Sequence, residues 1–275
     1  MRIFLILLFI FQVSILVANS KKDSIVIRGV GSHYKNSLIE LFIIDDYITH
    51  KEVVFQSTKV DSIGYFEFRF KNIATQRLVI RAKKNSSFLY VQPGGNYLIT
   101  LPEKNEYDEK NNNGNHVDVI FYQLDSTDIN YKIVKFDRWI EKELGGFYHL
   151  KKLKSDEYEK KYNDLKKKAD NLVKKDTNLF FVYHVKFSFA EMDDLEAVSS
   201  NLRIQNYAKW FHKIPLYYKN DTYMNYFKVF YENLLVYLKN SIKDNLYAAV
   251  INRSPSLAMK ALEEEETLKN IQVRE

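Results

Sequence analysis

The chain of 275 residues contains no cysteine. That absence removes disulfide staples, thiolate metal sites and every reaction that needs a sulfur nucleophile. It also excludes a lipid-anchored lipoprotein, whose anchor is built on a cysteine. Glycine and proline number only 8 and 4, and no glycine-rich phosphate loop follows a strand. There is no Gly-x-Ser-x-Gly and no Ser-x-x-Lys with supporting motifs. The six histidines, His33, His50, His116, His149, His184 and His212, are never three or four residues apart, so a helical metal pair is missing. Beyond the N-terminal segment no apolar run is long enough to span a bilayer.

What is present begins with an export pattern. Arg2 supplies a positive start, Ile3 to Phe11 an apolar centre, and Ala18-Asn19-Ser20 a small-x-small cleavage site. Residues 1–20 are therefore expected to be a signal peptide. An uncleaved anchor helix is the alternative, but Gln12 and Ser14 interrupt the run and it ends near Ala18, short of the roughly 20 residues a span needs. Export without disulfides requires a core large enough to hold unaided. With 46% hydrophobic and 15% aromatic residues the chain can supply one or two such cores. The combination predicts a periplasmic or cell-envelope location and no transmembrane segment after signal cleavage.

The net charge of +6 comes from 41 basic and 35 acidic residues. The densest basic clusters, Lys151 to Lys154 and Lys166 to Lys168, are interleaved with Asp156, Glu157, Glu159, Asp164 and Asp170. Interleaving of this kind marks a solvated helix face, and nucleic acid is not an expected partner.

The fold class expected is α+β: an N-terminal antiparallel β-sandwich followed by an all-α helical domain. Tyr65-Phe66-Glu67-Phe68-Arg69-Phe70 alternates with period two. Similar runs occur at Ile25–Val30, Leu38–Ile44, Val53–Phe55, Leu78–Arg81, Phe88–Gln92 and Tyr97–Leu101. About seven short strands, punctuated by Asp45-Asp46, Asp61-Ser62-Ile63-Gly64 and Pro93-Gly94-Gly95, form the domain over residues 21–104. Residues 105–116, centred on Asn111-Asn112-Asn113-Gly114-Asn115, carry almost no apolar side chain and read as a linker.

Residues 117–275 then change to helical period. Ile129, Ile133, Phe136 and Ile140 form one stripe. Tyr158, Tyr162, Leu165, Ala169 and Leu172 form a second, with Ser155 as its N-cap. Phe180, Tyr183, Phe187 and Ala190 form a third, and Tyr223, Phe227, Phe230, Leu234 and Tyr237 a fourth that starts near Asp221. Shorter helices are expected over Lys243–Ile251 and from Pro255, a good first helical residue, to Glu266. Residues Thr267 to Glu275 continue in helical character without a stop signal.

Two stretches carry a resemblance. Asp61-Ser62-Ile63-Gly64-Tyr65-Phe66-Glu67-Phe68 and Phe88-Leu89-Tyr90-Val91-Gln92-Pro93-Gly94-Gly95-Asn96-Tyr97-Leu98-Ile99-Thr100-Leu101-Pro102 resemble an N-terminal β domain of unknown function. That domain precedes thioredoxin-like (TlpA-type) domains in envelope proteins of Bacteroidota. Ile214-Pro215-Leu216-Tyr217-Tyr218-Lys219-Asn220-Asp221-Thr222-Tyr223-Met224-Asn225-Tyr226-Phe227 is similar to the helical spacer of the same proteins. Leu268 to Glu275 is similar to the segment that leads into their thioredoxin fold. The family's redox activity rests on a Cys-x-x-Cys motif that this sequence lacks, so no catalytic residue can be carried over. The resemblance implies a non-catalytic accessory or docking region without its redox domain. A free-standing glycan- or peptide-binding protein is the alternative.

Candidate sites are few. Tyr217, Tyr218, Tyr223 and Tyr226 are the densest aromatics and could form a surface patch, although aromatic stripes at helical spacing more often build a core. His184 reads as a satisfied histidine. Asp193-Asp194 with Glu191 and Glu196 reads as a solvated acidic face, since adjacent helical positions point apart. Asp45, Asp46 and Asp61 read as turn formers. No metal, cofactor or catalytic residue is expected. The expected partner is a protein or peptide of the envelope, a second copy of the chain among them.

Overall fold

Eight strands build two four-stranded sheets in the computed structural model, which describes residues 24–72, 74–103, 115–152, 156–194, 200–211, 214–232 and 234–268. The strands are β1 (Ser24–Val30), β2 (Leu38–Asp46), β3 (Lys51–Lys59), β4 (Tyr65–Lys71), β5 (Gln76–Ala82), β6 (Asn85–Val91), β7 (Asn96–Thr100) and β8 (Ile120–Phe121). One sheet has the order β4-β1-β7-β8 and the other β3-β2-β5-β6. The expected signal peptide, the residues from Lys104 to Gly114, the Ser155 cap, His212 and the tail from Lys269 lie outside the described residues.

The alternation in β4 buries Phe66 and Phe68 and leaves Tyr65 and Arg69 at the surface. These rings meet Ile25, Ile27 and Tyr97 of their own sheet and Ile39, Leu41, Leu78, Ile80 and Leu89 of the other, in one core between two sheets. Each such side chain contributes about 1.5–3 kcal/mol by leaving water. The first unit is thus a β-sandwich, with two departures from expectation. An eighth strand exists, and the pairing is mixed rather than wholly antiparallel, because β1 and β7 run parallel. Their parallel order places β1 between β4 and β7, and Gly29 faces Phe66 across the β1–β4 pair. A Cβ on Gly29 would lie 2.1 Å from Phe66 Cζ, so only glycine fits beneath that ring.

Turn chemistry follows the sequence. Asp61 accepts from the amides of Ile63 and Tyr65 at 3.0 and 2.8 Å, and Asp46 accepts from the Ile48 amide at 2.8 Å. Gly94 has φ of 77° with Pro93 before it, as a type II turn requires, and the Gly95 amide donates to the Gln92 carbonyl at 2.9 Å.

The open sides of the sandwich are closed differently. On one side Phe55 of β3 meets Phe70 of β4 edge to face, with centroids 5.1 Å apart. On the other, residues 115–121 cross from one sheet to the other. The Ser86 amide donates to the Asn115 carbonyl (2.7 Å) and the Val117 amide to the Ser86 carbonyl (2.8 Å), which seats this segment along β6. Three residues later it pairs with β7, Ile99 opposite Phe121 and Thr100 opposite Ile120.

Eight α-helices follow among the described residues: α1 (Ile129–Lys152), α2 (Asp156–Val173), α3 (Leu179–Asp194), α4 (Ser200–Trp210), α5 (Asp221–Glu232), α6 (Leu234–Tyr237), α7 (Asn240–Ile251) and α8 (Pro255–Leu262). In α8, Pro255 occupies the first turn and Ser254 caps it by accepting from the Leu257 amide. The expected run to Glu266 stops at Leu262, and a 3-10 turn, Glu266–Leu268, follows.

The chain divides into two compact units between Leu144 and Gly145, inside α1. The expected linker at 105–116 lies almost wholly outside the described residues, and β8 and the start of α1 fall in the first unit. The physical reason is local: β8 belongs to a sheet, and Asn130 in the first turn of α1 is bonded to β6. The second unit is packed on aromatics. Phe211 lies 5.0 Å from Tyr226 and 5.2 Å from Phe230, and Phe187 lies 4.7 Å from Tyr223, centroid to centroid. Asn220, fully buried, accepts from the Tyr223 amide (2.9 Å) and donates to the Phe180 carbonyl (2.9 Å), fastening the start of α5 to the start of α3.

Candidate functional site: a groove beside strand β6

The crossing segment leaves a groove at the β6 corner of the sandwich, about 840 Å³ in volume. Phe88 and Tyr90 of β6 form one wall, Val119 and Ile120 of the crossing segment another, and Tyr131 and Val134 of α1 a third. Its volume falls in the roughly 300–1,000 Å³ range of ligand pockets. Ile120, Tyr131 and Val134 are 53%, 37% and 44% exposed, so the lining presents apolar surface to solvent. Around it stand Asp118 and Asp137 against Lys135 and Arg138, two charges of each sign. With that balance the groove carries no sign preference of its own, and a phosphate backbone finds no basic cradle here.

Asn130 organises the site. It is 3% exposed, and its Oδ1 accepts from the Tyr90 amide (2.8 Å) while its Nδ2 donates to the Tyr90 carbonyl (2.8 Å). One side chain thereby does for Tyr90 what a neighbouring strand would do. Asp128 positions it, accepting from the Asn130 amide at 2.8 Å and from Nδ2 at 3.0 Å at the entry to α1. Burial raises the Asp128 pKa, against the hydrogen bonds from Asn130 that lower it. A smaller polar cavity of about 510 Å³ shares Leu124 with the groove and holds Asp125 and Asp128. Asp125 is engaged with the Thr127 amide and hydroxyl, whose bonds hold its pKa below the ordinary value.

One constellation beside the groove, sharing Asp118 with it, has the residue types of a nucleophilic triad. His116 stacks on Phe88, with centroids 5.1 Å apart, and its Nε2 lies 3.2 Å from Asp118 Oδ1. Ser86 is the bridge partner of His116 in the backbone. The Ser86 hydroxyl, however, donates to the Asn115 carbonyl at 3.4 Å rather than to the imidazole. Asp118 is 94% exposed in its side chain, where water screens the pair. The arrangement lacks the serine–imidazole contact on which acyl transfer depends.

The four tyrosines proposed from sequence separate. Tyr223 and Tyr226 are 1% and 0% exposed and belong to the aromatic core of the second unit, where burial raises the Tyr223 pKa. Tyr217 is half-buried, 5.0 Å from Tyr183, and only Tyr218 stands well out at 55%. They do not form a surface patch, because α5 turns its tyrosines inward. His184 is buried with Nδ1 2.7 Å from the Thr222 hydroxyl, a satisfied histidine as expected. Asp193 departs from its reading as a solvated acid. Its side chain is 12% exposed and accepts from Tyr162 (2.9 Å), Lys166 (2.5 Å) and Lys209 (2.5 Å), tying α2, α3 and α4 together. Burial alone would raise its pKa, but the bonds and charges of the two lysines hold it below the ordinary value.

Among the described residues no group of three or more acidic or histidine side chains is placed to hold a metal ion, and no helix is long and apolar enough to cross a membrane. No protein-family model matches this chain, and no curated protein matches it. Phe88, Tyr90 and Asn130 are the site residues that sequence reasoning missed. The available signal was Asn130 itself, a polar residue beside Ile129 at the start of an apolar stripe.

Proposed function

We propose that this chain acts by binding: a non-catalytic module of an exported envelope protein that docks a protein or peptide partner in the groove beside β6. The groove carries this reading. It joins exposed apolar side chains to a wall made of strand edge, and its one fully buried polar side chain, Asn130, is consumed by the Tyr90 backbone. What its walls offer a ligand is exposed apolar surface and the edge of a strand, with Asp118, Lys135, Asp137 and Arg138 around it, and that combination suits an extended polypeptide. The export pattern of residues 1–20 supports the envelope location. The resemblance to the accessory region of thioredoxin-like proteins supports a docking role.

The test is selection from a displayed library of random heptapeptides, followed by affinity measurement on variants. Binding in the micromolar range that Val134→Glu and Ile120→Glu each weaken tenfold or more supports the groove. Binding that survives both charges and is lost in Tyr218→Ser would move the site to the second unit and refute this assignment.

A further inference from the structure

The edge of β6 is only partly closed. Ser86, Phe88 and Tyr90 are alternate residues of a strand whose pairing with β5 runs without a bulge, so their N–H and C=O groups all point away from β5. Ser86 has both groups bonded to Asn115 and Val117, and Tyr90 has both bonded to the Asn130 side chain. Among the described residues, Phe88 between them has no partner on that side. Phe88 is itself one of the residues that line the groove. A bare edge invites any strand, and proteins usually blunt such edges with charge, proline or a covering element. Here two covers leave a notch. Ser86 to Tyr90 spans four residues, about 13 Å, which leaves space between the two covers for one residue of an incoming chain.

Resting on the docking assignment, we infer that the groove reads an extended polypeptide segment through a single backbone pair on Phe88. One residue of the ligand donates to the Phe88 carbonyl and accepts from the Phe88 amide, or its two neighbours share these bonds if the segment runs parallel. Apolar side chains of the segment fill the space over Ile120 and Val134. The notch is a length filter: an extended apolar stretch of a partner is admitted, and a long strand ladder, the route to edge-to-edge aggregation, is refused at Ser86 and at Tyr90. The mixed rim charges add no sign preference, so the class of ligand is an uncharged, apolar, extended peptide segment.

The experiment is an N-methyl scan across the tightest heptapeptide from the library, with affinity measured by calorimetry on the full chain. One position whose methylation weakens binding about tenfold or more is expected, the scale set by losing a hydrogen bond and its space. Asn130→Ala, which uncovers Tyr90, should add a second sensitive position two residues from the first. Binding with no sensitive position overturns the backbone pair while leaving docking in place. Two or more sensitive positions in the parent protein overturn the single-residue notch. Failure of any library peptide to bind overturns both. Should Asn130→Ala not fold, the scan on the parent protein decides alone.

Discussion

Replacing Asn130 by alanine tests how the site is held. The change removes two hydrogen bonds of 2.8 Å to the Tyr90 backbone, at a position 3% exposed. Each bond is worth about 0.5–1.5 kcal/mol net, and a buried amide or carbonyl left without a partner costs about 1–3 kcal/mol. The groove admits water to part of the space, which places the expected loss at about 2–4 kcal/mol. The assay is a urea titration followed by tryptophan fluorescence. Of the 2 tryptophans in the chain, Trp139 lies in the first unit and Trp210 in the second, so a Trp210→Phe background isolates the sandwich signal. Asn130→Asp sharpens the comparison. It keeps an acceptor for the Tyr90 amide but loses the donor to its carbonyl, and it sets a second carboxylate against Asp128, now 3.0 Å from Nδ2. Like charges at that distance share a proton, so Asn130→Asp should be less stable at pH 7 than at pH 5. A loss below about 1 kcal/mol in Asn130→Ala, or an Asn130→Asp protein insensitive to pH over that range, would refute the bridging role.

Four further outcomes follow from the same physics. Gly29→Ala, whose Cβ would sit 2.1 Å from Phe66 Cζ, should destabilise the sandwich by about 1–3 kcal/mol in the same titration. Gly145→Ala and Gly146→Ala, inside α1 with nothing within 4 Å of either added Cβ, should each stabilise by about 0.5–1 kcal/mol, and a loss would contradict the helical assignment there. Phe211→Ala, removing a ring that meets Tyr226 and Phe230, should cost the second unit about 3–5 kcal/mol by thermal or urea melting. Asp193, with its pKa held below the ordinary value, contributes stability that is present above the unfolded carboxylate pKa and lost as pH falls through the folded one. The second unit should therefore weaken in acid below about pH 4, the unfolded aspartate value, and Asp193→Ala should flatten that dependence.

The architecture was largely legible because period two and period 3.6 are written in large apolar residues. Phe66 and Phe68, or Tyr158, Tyr162, Leu165 and Ala169, declare their buried face without knowledge of any neighbour. Helix α4 escaped notice because Leu202, Ile204, Tyr207 and Trp210 are spaced two, three and three, which is not a helical stripe. Strand β8 escaped because two residues cannot show alternation, and the β1–β7 pair because parallel pairing leaves no local mark. The site was hidden for a stronger reason. Phe88 matters through its backbone, Tyr90 through a bond to a residue 40 positions away, and Asn130 through what it replaces. None of these is a property of a residue type or a spacing. Tyr217, Tyr218, Tyr223 and Tyr226 crowd in sequence, which leaves a surface patch open beside the commoner core reading. Once α5 forms, Tyr223 and Tyr226 are three apart and share its buried face.

The account stands or falls on the Phe88 amide. Residue-resolved hydrogen exchange by NMR should find it exchanging rapidly in the free protein, between the slow amides of Ser86 and Tyr90, and slowing at least tenfold when the selected heptapeptide is added. A Phe88 amide already as protected as its two neighbours in the free protein, or one that stays fast in the saturated complex, would contradict it.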